Sequence, residues 1–218
     1  QSFGADNVGT VNFFEDNILS GNIGNGTTRS IGLLNIAAEK EVAANSFNID
    51  AQTINLNQNE KLNFTFGNLK AAVINLAQGA ALTLGSGAIS GVIQGRNDDE
   101  GMVIFSENYT MTANLANSSN SLAAIEIAPE KIFNAKSFSI YASEIILNSG
   151  SQINLINGEF KGSSANSRLR ASNMVNADLD FLEGVFATTS AITNSNIINV
   201  ASAAGLILNH DVSNNFNL

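Results

Sequence analysis

The sequence repeats itself at an offset of 92 positions, and this repeat constrains the fold more than any other feature. Residues 9–24 read GTVNFFEDNILSGNIG, and residues 101–116 read GMVIFSENYTMTANLA. After a one-residue deletion the offset becomes 91, and residues 37–70 then match residues 128–161 at 14 of 34 positions. Chance at this composition gives only a few identities. A unit of this length that repeats in tandem is typical of folds built by stacking.

The repeated segments alternate apolar and polar residues. Positions such as Ile54 and Leu56 lie two apart in each unit, and polar residues stand between them. A period of two predicts β-strands, because alternate side chains of a strand face the same side. Helical periodicity is weak. The best helical candidates, residues 37–45 and 128–136, would equally fit corners between strands.

The composition favours many short strands joined by turns. Charged residues make up 13% of the chain, about half of the usual ~25%. Their place is taken by uncharged polar residues, among them 33 Asn, and by 18 Gly. Asn and Gly tolerate the left-handed backbone conformation that tight turns require.

These patterns predict a fold class. The period of the repeat divides into four coils of about 23 residues, a length within the range of solenoid repeats. We therefore expect an all-β, right-handed parallel β-helix, or β-solenoid, with a sandwich or roll as the alternative. The chain would form a single solenoid domain over residues 1–218, with repeat units at about 9–100 and 101–218.

Charge and composition exclude several functions. The formal net charge is −9 and the isoelectric point is about 4.4, so nucleic acids and anionic membrane surfaces would be repelled. No stretch of 18 apolar residues occurs that could span a bilayer as a helix. The chain contains no Cys, which excludes disulfides and thiolate metal sites. It begins with Gln1 and shows no signal peptide, so we expect a mature piece or an excised fragment.

Two motifs carry a resemblance to a known family. The pattern G-T-V-N-F, followed by a short polar break and G-N-I-G, resembles passenger domains of Gram-negative autotransporters, most closely the rickettsial surface cell antigens. The Asn-rich strands with I-N-L triplets are similar as well. The resemblance covers most of the chain. It implies a parallel β-helix on the bacterial surface, tethered to the outer membrane in the full-length protein. It also implies adhesion to host cells or a protein coat, and a C-terminal translocator barrel outside this fragment.

The second unit departs from the first after Lys161. The match returns when residues 74–84 align with residues 198–208, which indicates about 33 extra residues between 162 and 197. Lys161, Arg168 and Arg170 form the only basic cluster of this acidic sequence. The insertion is either a binding loop for an acidic or sugar ligand or an extra rung with solvated charges.

Asp178 and Asp180 offer the best candidate for catalysis. On a strand the two side chains would face the same side, roughly 7 Å apart. Paired carboxylates can hydrolyse glycosidic bonds, and Arg168 or Arg170 would supply a basic residue for a carbohydrate. The same alternation, D-L-D-F-L, is also that of an ordinary amphipathic strand.

Other candidate sites have simpler readings. The acidic run at residues 96–100 could hold Ca²⁺ through carboxylate oxygens, but its spacing is not that of an EF-hand, and solvated turns are commonly acidic. His210 is the only histidine; it lacks a G-x-S-x-G partner motif and cannot form a His-rich zinc site alone. Tyr109 and Tyr141 could stack on sugars if they are exposed. We predict no catalytic residue, metal or small-molecule cofactor.

The sequence therefore predicts a protein of extension and contact, not an enzyme. We expect an adhesin, stalk or coat segment that contacts a host-cell surface protein or glycan, with binding at Lys161, Arg168, Arg170, Asp178 and Asp180. The alternatives are a β-helical polysaccharide hydrolase or lyase and a secreted toxin-like passenger. Exposed strand edges at the solenoid ends would favour self-association.

Overall fold

A computed structural model describes most of the chain. The described residues are 7–24, 30–136, 138–148, 151–156, 160–161, 168–171, 178–188, 191–193, 197–200 and 204–208. Side chains are described no further than Ile153. Within these residues the protein is all-β, without a helix, and its strands stack in parallel as a β-solenoid of about seven turns. The predicted fold class is confirmed.

The strands form three parallel sheets. The first sheet contains, in spatial order, β1 (Thr10–Phe13), β3 (Ile31–Ile36), β5 (Ile49–Leu56), β7 (Leu69–Leu76) and β9 (Ile89–Gly95). The second contains β2 (Asn17–Ile18), β4 (Glu41–Asn45), β6 (Lys61–Phe64), β8 (Ala81–Leu84), β10 (Met102–Phe105), β12 (Leu122–Ile127), β14 (Ile140–Leu147), β17 (Arg168–Ala171) and β19 (Ala191–Thr193), with β16 (Phe160–Lys161) also beside β14. The third contains β11 (Tyr109–Thr110), β13 (Ile132–Lys136), β15 (Gln152–Ile156), β18 (Asp178–Thr188) and β20 (Ile197–Val200), with β21 (Ala204–Leu208) also beside β18.

Each coil of the first unit has three sides, which β5 and β6 illustrate. In β5 the buried residues Ile49 and Ala51 are followed by buried Ile54 and Leu56, so two consecutive residues face outward between them. This slip in the alternation turns the long strand into two sides. We call its first half side one, its second half side two, and the short strand β6, with buried Leu62, side three.

Equivalent positions in successive coils are about 20 residues apart at the centre of the solenoid. Ile54 lies opposite Leu34 on one edge of β5 and opposite Ile74 on the other. The expected length of about 23 residues is that of the first coil, where Thr10 lies opposite Leu33, and the central coils are about three residues shorter. The apolar residues at such positions stack inside the solenoid as a continuous core, whose largest fully buried side chains include Phe64, Phe105, Phe133, Leu34, Ile54 and Ile74.

A recurrent four-residue turn makes the corner between side two and side three. At residues 57–60 and 77–80 the N–H of the fourth residue donates to the carbonyl oxygen of the first, over 3.4 and 3.0 Å. The third residue has a positive φ, 60° at Asn59 and 72° at Gly79, as in a type II turn. Asn and Gly are the residues that this position favours.

Both helical candidates are wrong, and the alternative of a corner is correct. Residues 37–40 and 128–131 form the same corner turn and lead directly into β4 and β13. Pro129 stands at the second position of its turn, where the fixed φ of proline fits. The apparent helical spacing came from turn residues that run into a short strand.

The two repeat units share the same internal hydrogen bonds. Lys40 pairs with Glu15 at 3.1 Å, and Lys131 pairs with Glu107 at 2.6 Å in the second unit. Next to these pairs, backbone N–H groups are capped by equivalent side chains: Asp16 Oδ1 accepts from Glu41 N, and Asn108 Oδ1 accepts from Ile132 N. The sequence repeat is therefore also a repeat of geometry.

The second unit is nevertheless rotated by one side relative to the first. β10, the counterpart of β1, stacks on β8, which belongs to side three of the first unit. On side two, the residue that lies next to Ile93 in the following coil is Ala116 of the second unit. Its backbone N–H donates to the carbonyl oxygen of Ile93 over 2.8 Å. One repeat unit therefore comprises four coils and one additional side.

Candidate functional site

The basic residues singled out from the sequence lie on two strands beside β14. Lys161 is in β16, opposite Tyr141, and Arg168 and Arg170 are in β17, opposite Glu144 and Ile146. Their side chains lie outside the described part of the structure. The backbone places all three residues next to one strand.

The two aspartates lie on a different sheet from the arginines. Asp178 and Asp180 are in β18 of the third sheet, opposite Gln152 and Asn154 of β15, whereas β17 belongs to the second sheet. The backbone therefore does not bring the predicted carboxylate pair and the arginines onto one sheet. A glycosidase-like arrangement gains no support from this placement.

Much of the segment that interrupts the repeat is built into the sheets. Within residues 162–197 the structure describes β17, β18 and β19. β17 pairs with β14 and β19, and β18 pairs with β15 and β20. The described parts of this segment thus add strands to the solenoid.

The acidic run at residues 96–100 is a corner whose carboxylates bind hydroxyl groups of later coils. Asp98 Oδ1 accepts from Ser121 Oγ at 2.5 Å, and Asp99 Oδ1 accepts from Ser143 Oγ. These bonds tie the corner to the coils that follow it. In the described part of the chain, no three His, Cys, Asp or Glu side chains converge as metal ligands would.

The tyrosines are not an exposed aromatic platform. The Tyr109 ring lies 4.8 Å from the Phe105 ring and 6.0 Å from the Phe133 ring, measured between centroids. Burial among these rings raises the pKa of the Tyr109 hydroxyl. Tyr141 is half-buried. His210 lies outside the described residues.

A small cavity opens beside Tyr109 where the two units meet. It measures about 30 Å³ and is lined by apolar residues that include Ile89, Ile93, Phe105 and Met111. That volume holds roughly one water molecule. The cavity is therefore too small for an organic ligand.

A regular ladder of amide side chains runs along side two. Asn35 donates through Nδ2 to Asn12 Oδ1 at 2.9 Å, Asn55 to Asn35 at 3.3 Å, and Asn75 to Asn55 at 3.0 Å. Gln94 then donates to Asn75 at 3.1 Å, and Asn117 donates to Gln94 at 3.0 Å. Every rung donates in the same direction along the solenoid axis.

Apolar and β-branched residues form a second row beside the amide ladder. We define the ladder face as the outward residues of both rows on β3, β5, β7 and the second half of β9: Leu33, Asn35, Thr53, Asn55, Val73, Asn75, Val92 and Gln94. All are half-buried except Val92, which is 41% exposed. The ladder face carries no charge, although the protein has a net charge of −9.

Sequence reasoning placed asparagine at the corners and missed the ladder face. The corner role is real: Asn48 Oδ1 accepts from Asn68 N, and Asn22 Oδ1 accepts from Asn48 N, both at 2.8 Å. The signal for the ladder face was the I-N-L triplet, which recurs at residues 54–56 and 74–76. Its Asn lies between two buried residues on a strand and must face outward.

Comparisons with known proteins returned no match. No family model matches the sequence, and the searches of curated proteins and of solved structures found no match either. Among the described residues, no helix has the length and apolar character needed to cross a lipid bilayer.

Proposed function

We propose that this chain is a segment of a surface-displayed β-helical passenger of the autotransporter type, with a role in extension and contact at host cells. In this role the stacked coils form a stiff spacer, and the ladder face is the contact surface of an adhesin. The observation that carries the proposal is the continuity of the amide ladder over successive coils, from Asn12 to Asn117.

The physical properties of the ladder face support binding. Its side chains are already held by hydrogen bonds and by strand pairing, so a partner would order few additional rotamers. The row of Leu33, Thr53 and Val73 offers apolar contact, and the neighbouring amides offer donors and acceptors. Absence of charge on this face lets a partner approach without desolvating an ion.

The net negative charge lies elsewhere and limits the choice of partner. It disfavours nucleic acids and anionic membrane surfaces. We propose a host-cell surface protein as the partner, because apolar and amide groups in alternating rows suit a mixed polar and apolar protein surface. A glycan is the competing partner, which the experiment below distinguishes.

Binding of the labelled protein to intact mammalian cells tests the proposal. We expect saturable binding that Thr53→Lys reduces roughly tenfold or more, because a lysine at the centre of the ladder face would have to be desolvated. Thr83→Lys is the matched control: Thr83 is also an outward, half-buried threonine, but it lies on β8 in the second sheet. It should leave binding unchanged.

Three results would count against the proposal. Equal loss of binding in both lysine variants would remove the ladder face from consideration. Loss after glycosidase treatment of the cells, but not after protease treatment, would identify a glycan as the partner. Absence of saturable binding by the wild-type protein would leave only the spacer role.

A further inference from the structure

The join between the two units shows how one unit receives another. β10 pairs in parallel with β8, with Val103 opposite Leu82 and Phe105 opposite Leu84. Backbone bonds extend the pairing at both ends, from Met102 N to Ala80 O and from Ser106 N to Leu84 O, each 2.8 Å long. The last side-three strand of the first unit, β8, thus pairs with the first strand of the second unit, β10.

The first strand of the first unit has the same construction as β10. Val11 and Phe13 are the counterparts of Val103 and Phe105. β1 pairs with β3 in the register with which β10 pairs with β12, so that Thr10 lies opposite Leu33 as Met102 lies opposite Ala124. One edge of β1 is therefore used as in β10, while no described strand pairs with its other edge.

The chain also enters both first strands through the same turn. Asn7 and Asp99 are counterparts with φ of 60°, and Gly9 and Gly101 are counterparts with φ of 87° and 73°. Ser30 Oγ donates to Asn7 Oδ1, and its counterpart Ser121 Oγ contacts Asp99 Oδ1 at 3.4 Å. The backbone before β1 already has the conformation of a join between units.

The two first strands differ in how far they are covered. Val103 and Phe105 are 0% and 1% exposed, whereas Val11 and Phe13 are only partly buried. Phe14 is 70% exposed, although its counterpart at the join is the polar Ser106. At this position the first coil of the first unit, on which no described strand is stacked, therefore carries a more apolar side chain than the first coil of the second unit.

We infer that the free edge of β1, together with Phe14, is a docking surface for another repeat unit of this type. The incoming unit places a strand like β8 under β1, with a leucine opposite Val11 as Leu82 lies opposite Val103. The amide of Asn12 faces a threonine there, because its counterpart Ile104 lies opposite Thr83. Within the ladder Asn12 accepts from Asn35 through Oδ1. The threonine hydroxyl of the incoming unit then gives Asn12 Nδ2 an acceptor.

Each docked unit adds one further rotation by one side. The ladder face of the incoming unit consequently points in a different direction from the ladder face of the receiving unit. An array of such units presents equivalent contact surfaces around the rod.

A tandem chain tests the inference. A copy of residues 9–100 is placed directly before Gly9, so that Glu100 of the copy precedes Gly9 as Glu100 precedes Gly101 in the native chain. Backbone hydrogen exchange is measured at Thr10 and Phe14, the counterparts of Met102 and Ser106. We expect exchange at both amides to slow at least tenfold relative to the original chain, because both become donors to the added strand.

Two variants of the tandem chain make the test specific. Val11→Lys should abolish the protection, because docking buries this position, while the end coil of the original chain tolerates the change. Gln58→Lys, at an exposed position of the corner turn after β5 and away from β1, should preserve it. Unchanged exchange at Thr10 and Phe14 would overturn the inference, whether the added copy folds separately or stays unfolded. Neither outcome bears on cell binding, so this inference and the proposed function can fail independently.

Discussion

Val11 and Val103 hold the same position in the two repeat units, yet they lie on neighbouring sides of the solenoid. Val11 begins a column that continues through Leu34, Ile54, Ile74 and Ile93. Val103 lies instead opposite Leu82 of β8, on side three. The segment from Ile93 to Val103 carries the chain past one more corner before the unit restarts.

This relationship predicts unequal effects of the same substitution. Val103→Ala should lower the free energy of unfolding by about 2 kcal/mol, because the side chain is fully buried between β8 and β12. Val11→Ala should lower it by less than ~1 kcal/mol, because Val11 is covered on one edge only. Urea denaturation of both variants measures the difference. Equal losses would show that the unit join is no better packed than the first coil.

The sequence was sufficient for the class of fold but not for the geometry of the join. The two-residue alternation at Ile54 and Leu56 implies an inward column, and tandem repetition implies stacking. The period of the repeat, however, is compatible both with four coils of about 23 residues and with four coils of about 20 residues plus one additional side. The third position of the corner turn is Asn59 in one coil and Gly79 in the next. The number of corners therefore cannot be read from one recurring residue type.

The candidate surface was harder to predict than the fold. Side-chain charge drew attention to Arg168 and Asp178, whose strands lie in different sheets. The ladder face depends on the register of neighbouring coils, which places Asn55 opposite Asn35 and Asn75. Register is a tertiary property, and the longer coil expected from the sequence would not have aligned these amides.

Removal of a central rung should destabilise the solenoid. Asn55→Ala leaves Asn35 Oδ1 and Asn75 Nδ2 without their ladder partner. Both groups are half-buried, so water replaces the bonds only in part, and we expect a loss of about 1 kcal/mol. Asn12→Ala is the control at the exposed end of the ladder, where a single bond is lost. If chemical denaturation found a larger loss of stability for Asn12→Ala than for Asn55→Ala, this expectation would be contradicted.

The unit join depends on Gly101. This residue has φ of +73°, and an added Cβ atom would overlap the Leu76 Cβ atom. Gly101→Ala combines a left-handed backbone penalty with overpacking, so we expect a loss of roughly 2–4 kcal/mol. Gly21→Ala is the matched control, because no heavy atom lies within 4 Å of its added Cβ. Thermal and urea unfolding would contradict the close approach if the two variants were equally stable.

Glu60 makes the stability of the solenoid depend on pH. Its side chain is fully buried at the last position of the corner turn; Oε2 accepts from Asn57 N, while Oε1 has no hydrogen-bond partner. Burial raises the pKa of the Glu60 carboxyl, although hydrogen bonds from Asn57 and the charge of Arg96 oppose the shift. The folded state thus binds the proton more tightly than the unfolded state. The contribution of Glu60 is fully present below the unfolded pKa of about 4.3 and is lost as pH rises through the raised folded pKa.

Glu60→Gln should remove this loss. The amide keeps an acceptor for Asn57 N and carries no charge, so the variant should exceed the wild type in stability at pH 7 by about 1 kcal/mol. At pH 3.5, where wild-type Glu60 is protonated, the two proteins should unfold at nearly the same urea concentration. Glu100→Gln is the matched control, because Glu100 accepts from Asn97 N in the equivalent turn but is only half-buried. A stability difference for Glu60→Gln that is the same at both pH values would mean that the carboxylate is solvated in the folded protein.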